Sequence, residues 1–248
     1  MKNIRITILL FIVFCSKSVI AQHVIGEVEY RYRLYYNNIY MSLSFLSQHE
    51  KDRIMLGWNN PEGYSTRMKL QFSPEKSTYT FGEPYENTRY SYQRDEYIIE
   101  NNLQDNTFLK VIDAMGKSYI IRDEAKPLKW RVMNEIREVA GYMCMKAVTT
   151  DPIKNQEIVA WFAANIPVSA GPEELYGLPG LILRYEVNDN HLIVEAEKVT
   201  LGTPKEPIAL PAKLKGKEVT QQQFDDLRKK YIADTEKRKN TWVGYIRY

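Results

Sequence analysis

Residues 24–34 read Val24-Ile25-Gly26-Glu27-Val28-Glu29-Tyr30-Arg31-Tyr32-Arg33-Leu34. In an extended chain Val24, Val28, Tyr30, Tyr32 and Leu34 share one side, while Glu27, Glu29, Arg31 and Arg33 share the other. A period of two with apolar residues against charges marks a half-buried strand of an antiparallel sheet. Downstream, Met68, Leu70 and Phe72 alternate in the same way. After the polar break Ser73-Pro74-Glu75-Lys76, so do Tyr79 and Phe81, which reads as a hairpin. Between these, Asn38 to Trp58 fits no single period and reads as part helix, ending in the turn chemistry of Asn59-Asn60-Pro61-Glu62-Gly63. Short strands then recur around Tyr90–Tyr92, Tyr97–Ile99, Phe108–Ile112, Ser118–Arg122, Lys129–Met133, Val139–Thr149, Glu157–Ala163, Leu181–Val187 and Leu192–Leu201. Gly, Pro, Asn and Asp fall between them. The spacing predicts a mainly β (α+β) fold: a curved antiparallel sheet, or a partial barrel or sandwich.

One helix closes the pattern, over about 220–238. Thr220 and Gln223 form a capping box, Val219 and Phe224 a hydrophobic staple, and Phe224, Leu227 and Tyr231 an apolar stripe. The stripe predicts a helix packed on the sheet or across its open mouth. No internal repeat or low-complexity tract interrupts the chain.

The sequence has 248 residues, with 34 Lys and Arg against 31 Asp and Glu, and 44% hydrophobic residues. That composition is globular and excludes a disordered or collagen-like chain. The first 21 residues carry Lys2, Arg5 and Lys17 and no acid, and the basic start leads into an apolar run from Ile6 to Cys15. Val19-Ile20-Ala21 precede Gln22. This is the pattern of a Sec-type secretory leader, with a run too short for a membrane anchor. Phe14 before Cys15 does not fit a lipoprotein leader. The expectation is a leader at 1–21 and a single domain over 22–248, exported to the periplasm, the outer membrane or the cell exterior. Removing three cations leaves 31 basic against 31 acidic residues, so net charge does not point to nucleic acid. Cys144 is the only remaining thiol, which excludes an intramolecular disulfide.

Candidate chemistry is sparse. His23, His49 and His191 have no metal-ligand spacing, and no metal or cofactor is expected. Cys144, within Tyr142-Met143-Cys144-Met145, could act as a nucleophile with His191, but its apolar setting suits a buried small hydrophobe better. Glu173 and Glu174 follow Gly171-Pro172 on a turn and are expected to diverge as solvated acids rather than flank a substrate. Eighteen tyrosines are the one compositional excess. Among them Tyr30, Tyr32, Tyr35, Tyr36, Tyr40, Tyr90, Tyr92 and Tyr97 suit either a recognition surface or sheet packing.

The most distinctive stretch is Gly171-Pro172-Glu173-Glu174-Leu175-Tyr176-Gly177-Leu178-Pro179-Gly180-Leu181-Ile182-Leu183. Pro179-Gly180 suits the centre of a type II turn, so Gly177 and Gly180 are assigned to turn geometry. Leu175, Tyr176 and Leu178 give the loop an apolar surface that must be tucked against the body or offered to a partner. Gly177-Leu178-Pro179-Gly180-Leu181-Ile182 resembles the motif that names the GLPGLI family of secreted Bacteroidetes proteins. Ala140–Ala147, Ala160-Trp161-Phe162, Ile166-Pro167 and Gly171-Pro172 are similar to the family's preceding blocks, so the resemblance covers about 129–201. It implies a Sec-exported protein of unknown biochemical role, often associated with outer-membrane receptor systems, and supplies no catalytic residues.

The resulting expectation is an exported cell-envelope protein that binds, without catalysis, an apolar or amphipathic ligand or an envelope protein. The expected surface is a concave sheet face together with the apolar loop, with Trp161, Phe162, Tyr176, Leu178 and Pro179 as its candidate residues. The alternative is an envelope hydrolase using Cys144 or dispersed carboxylates. A small outer-membrane barrel is disfavoured, because Glu27, Glu29, Arg31 and Arg33 would have to face lipid.

Overall fold

A computed structural model describes residues 24–57, 60–85 and 97–241. The leader, the expected strand at Tyr90–Tyr92 and the terminal Tyr245–Tyr248 lie outside the described residues.

The first strand, β1 (Gly26–Leu34), is where the alternation places it, with Val28, Tyr30 and Leu34 buried on one face. It is followed by α1 (Tyr36–Ser42), α2 (Gln48–Gly57), β2 (Tyr64–Phe72), β3 (Lys76–Phe81), β4 (Tyr97–Asn102), β5 (Thr107–Ala114), β6 (Lys117–Glu124) and β7 (Arg131–Val139). Then come β8 (Tyr142–Asp151), β9 (Gln156–Ala163), β10 (Leu181–Val187), β11 (Leu192–Leu201), β12 (Lys217–Val219) and α3 (Gln221–Lys237). The ambiguous 38–58 region thus holds two short helices. The stretch expected as one strand over Val139–Thr149 instead contains a turn. Ala140 and Gly141 both adopt positive φ, at 49° and 82°, so Val139 ends one strand and Tyr142 begins the next. Two successive positive-φ residues make the tight hairpin turn that matches strand twist.

The twelve strands among the described residues form one open curved sheet in the order β12-β6-β5-β4-β3-β2-β1-β11-β10-β9-β8-β7. Every pairing is antiparallel except β12 with β6. Two meanders, β2–β6 and β7–β11, flank β1, whose two edges hydrogen-bond β2 and β11. The curvature follows from chain length. Strands β6 and β7 lie ten inter-strand gaps apart in the sheet, about 48 Å if it were flat. They are joined by residues 125–130 alone, a link that reaches about 25 Å at most. The sheet must therefore curl until its two ends approach.

The concave face carries the core. One row across it, in register, is Val28, Leu70, Tyr79, Ile99, Lys110, Ile121 and Val219. The 164–180 loop between β9 and β10 folds into this concavity, with Ile166, Val168, Ala170, Leu175 and Leu178 all buried in the main core. On the convex face of β4–β6, Ile98, Leu109, Val111 and Ile120 are covered by Ile208, Leu210 and Leu214. Elsewhere that face is an ion-pair lattice in which Arg31 and Arg67 meet Glu197, Lys69 meets Glu27, and Arg184 meets Glu186 and Glu195.

Helix α3 begins with the expected capping box: Gln223 N–H donates to the Thr220 hydroxyl and Thr220 N–H to the Gln223 amide oxygen. Val219 and Phe224 are buried with Ile112, Tyr119 and Ile121 on the concave side. Near its other end, Ile232 packs with Leu43, beside Tyr40 of α1 and Phe45 and Leu46 after it. A helix of this length spans about 25 Å, so α3 bridges from the β6 end to the region beside β1. Tyr231 of the expected stripe is 37% exposed, and Ile232 takes its place in the contact.

Candidate functional site

Two places concentrate polar chemistry: the interior beneath α3 and a groove outside the linker that closes the curl.

In the interior, Lys110 interrupts the apolar concave row and is 2% exposed. Its ammonium pairs with Glu174 and donates to the Gln221 amide oxygen at 3.3 Å, while Gln221 donates to Asp225 at 2.8 Å. Burial depresses the Lys110 pKa well below the ordinary lysine value, and repulsion from Arg228 adds to the drop. Burial lowers Lys154 in the same way, although Asp151 holds it at 3.6 Å. Glu173, beside Glu174, has φ of +56°. This left-handed conformation costs a non-glycine residue about 1 kcal/mol or more. It aims the carboxylate at tyrosines: the Tyr97 hydroxyl donates to it at 3.3 Å, and its charge adds to the burial that raises the Tyr79 and Tyr185 hydroxyls. The Tyr79 and Tyr185 hydroxyls have no hydrogen-bond partner among the described residues. Glu173 and Glu174 engage different partners, Tyr97 and Lys110, and are half-buried rather than solvated as expected. Lys110 from β5, Glu173 and Glu174 from the loop, and Asp225 and Arg228 from α3 act together as the polar fastening of the helix.

The outer groove, of about 660 Å³, lies between residues 126–131 and the β8–β9 hairpin. Pro127, Leu128, Val148 and Pro152 supply apolar lining, and Lys126, Lys129, Arg131 and Glu157 supply charge. The linker is pinned from behind. The Trp130 indole N–H donates to the Tyr176 carbonyl at 2.9 Å, and the Thr149 hydroxyl donates to the Lys129 carbonyl at 2.9 Å. With the backbone held, the three cations project from a fixed frame. Among the described residues none of them forms an ion pair, whereas the convex-face arginines above are all paired.

The residues expected at a binding surface separate. Trp161, Phe162 and Leu178 are 6%, 1% and 2% exposed, Tyr176 is half-buried, and Pro179 is exposed. The apolar side of the loop is thus tucked into the body. Arg137 and Lys146 lie over the Trp161 ring at 4.8 and 5.8 Å. Gly177 has φ of +95°, as turn geometry requires. Gly180 is corrected: it is not among the positive-φ glycines, and its need is close approach, since a Cβ there would lie 2.4 Å from the Ala163 carbonyl oxygen. Cys144 is fully buried and its thiol is pushed up to about 11 by burial, so nothing around it generates a thiolate. His191 sits in the β10–β11 turn, half-buried, with its pKa lowered by burial.

The sequence reading missed Lys110 and the groove cations. Lys110 was visible as the single charge in Phe108-Leu109-Lys110-Val111-Ile112. Lys126-Pro127-Leu128-Lys129-Trp130-Arg131 mixes bases with apolar residues in a similar way. No three or more His, Cys, Asp or Glu side chains among the described residues are placed to hold a metal. No helix there is long and apolar enough to cross a membrane.

Two solved structures share the fold. The "Structure of PNGF-II in C2 space group" matches with a TM-score of 0.53 at 16% identity, covering 82% of this chain and 32% of that one. The "Structure of PNGF-II in P21 space group" gives 0.54 at 17% identity, covering 82% and 33%. The chain therefore spans about a third of PNGF-II, and at this identity the likeness concerns the fold alone. No curated protein matches the sequence. Residues 152–184, running from the β8–β9 turn through the Gly177–Ile182 motif into β10, match the family model described as "Protein of unknown function (Porph_ging)". By that segment the chain is similar to the GLPGLI-associated family of Bacteroidetes proteins, whose function is unknown.

Proposed function

We propose that this is an exported cell-envelope protein that binds, without catalysis, an amphipathic partner: a ligand with an anionic group or another envelope protein. The observation that carries this reading is the groove, where Lys126, Lys129 and Arg131 stand unpaired among the described residues around Pro127, Leu128, Val148 and Pro152. Unpaired cations beside apolar lining favour a ligand that is apolar along one side and anionic along another. The concave face expected to bind is filled by the protein's own 164–180 loop and α3, which favours a binding surface outside the curl. That the fold makes up about a third of PNGF-II supports its use as a module working beside other protein units. Export is inferred from the leader-like sequence at 1–21 alone, and it is compatible with residence in the periplasm, at the outer membrane or outside the cell.

The reading is tested by immobilising the mature protein and the Lys126→Glu/Lys129→Glu variant, then passing envelope extract over both. Protein and lipid should be retained by the first alone and released above about 0.3 M salt, where screening is short-ranged. Equal retention by the two proteins would refute the groove as the binding surface.

A further inference from the structure

Strand β7 ends the sheet. It pairs with β8, and among the described residues nothing pairs with its other edge. Such an edge is a row of backbone donors and acceptors ready to take another strand. Natural edges are often short or covered, as β6 is by β12, but β7 runs nine residues. Its apolar residues are also open, with Val132 47% and Ile136 64% exposed. Ile136 faces Met145 across the ladder, and Met145 faces Phe162. The exposed stripe therefore continues the core's own face beyond the last strand.

The edge is selective rather than merely adhesive. A bulge between Val132 and Ile136, where three residues oppose one, breaks the flat template that would invite indiscriminate pairing. Arg131 begins β7 and also lines the groove, with Lys129 and Lys126 just upstream. An antiparallel strand added to β7 would run its C-terminal end past Arg131 toward those lysines.

Building on the amphipathic-partner reading, we propose that β7 is a docking edge for an extended polypeptide that adds antiparallel to it. That segment has alternate apolar residues facing Val132 and Ile136 and an acidic C-terminal end meeting Arg131, Lys129 and Lys126. Backbone hydrogen bonds supply affinity, and the alternating side chains with the acidic end supply selection.

The probes are three ten-residue synthetic peptides alternating valine and threonine. One ends in two glutamates, one ends in two lysines, and the third is the acidic peptide with alternate amides N-methylated. By fluorescence anisotropy the acidic peptide should bind at least about tenfold tighter than the basic one, and N-methylation should abolish binding. Lys126→Glu/Lys129→Glu should reverse the charge preference. Ile136→Asp, at a surface position, should weaken binding of all peptides while the circular dichroism spectrum and Tm are retained. Undiminished binding of the N-methylated peptide overturns strand addition. So does light scattering that shows a dimer whose β7 is inaccessible. If phosphatidylglycerol vesicles bind in a groove-dependent manner and no peptide does, the inference fails while the broader reading stands. If neither binds, both fail.

Discussion

Lys110 is the residue on which the interior turns. A lysine in an apolar row is tolerated only with a partner, and Glu174 with Gln221 provides one. Its pKa is lowered in the folded state, so between that value and the unfolded value near 10.4 the unfolded chain binds more protons. Over that window stability should rise with pH, and Lys110→Met should flatten the slope in urea titrations. At neutral pH the same substitution should be neutral or stabilising, by up to about 2 kcal/mol, because burying an apolar chain there carries no desolvation penalty. Glu174→Gln should instead destabilise, since it leaves the ammonium without its anion. A loss of stability on Lys110→Met equal to that of Glu174→Gln would show that the pair stabilises outright.

Cys144 gives a second test at this scale. With its thiol near 11, about one molecule in a thousand is thiolate at pH 8, so iodoacetamide should leave the native protein unmodified in mass spectra and label it in urea. The glycines of the loop give a third. Gly180→Ala drives a methyl into the Ala163 backbone and Gly177→Ala opposes a positive φ. Each should cost about 1–3 kcal/mol, seen as a lowered urea midpoint. Of these residues Cys144, Glu174 and the glycines stood out in the sequence, and Lys110 did not. The type of the glycines signals backbone demand, yet the two demands differ, and only coordinates tell a left-handed turn from a close approach.

Among the elements, α3 was the most legible. Caps, staple and stripe all lie within one turn or two of each other, so local chemistry specifies them. Thr220→Ala should lower stability by about 1 kcal/mol. Phe224→Ala removes a side chain packed edge-on to Tyr119 at 5.3 Å between ring centroids, and should cost about 3–5 kcal/mol. Hydrogen exchange should show α3 amides losing protection in that variant before the strands do. The strands of the core were legible through alternation, as in β1 and β2. Of β7 only the start was read, within the strand expected at Lys129–Met133; the rest was not, because Arg131–Val139 is exposed on both faces for most of its length and carries no burial signal. Its turn into β8 was hidden for a related reason: Ala140 is an unexpected residue at positive φ, and only Gly141 marks the reversal.

For the whole molecule, the class and curvature of the sheet could be anticipated, whereas the groove and the interior fastening could not. Lys110 with Glu174 and Asp225 come from segments far apart in the chain and meet inside the curl, while the two sides of the groove, residues 126–131 and 148–157, meet through the register of the β7–β8 hairpin. Pairwise spacing in sequence carries no trace of such meetings. The position of β1 has a further consequence, for the order of assembly. Each meander is built of hairpins and can form from neighbouring residues, but among the described residues only β1 joins them, with Tyr30 opposite Met68 on one side and Ala196 on the other. The second junction closes a loop of most of the chain and carries a large entropic cost before its contacts form. Refolding should therefore show a slow final phase. Val28→Ala should slow it more than Ile158→Ala, because β1 is the last to find its second neighbour.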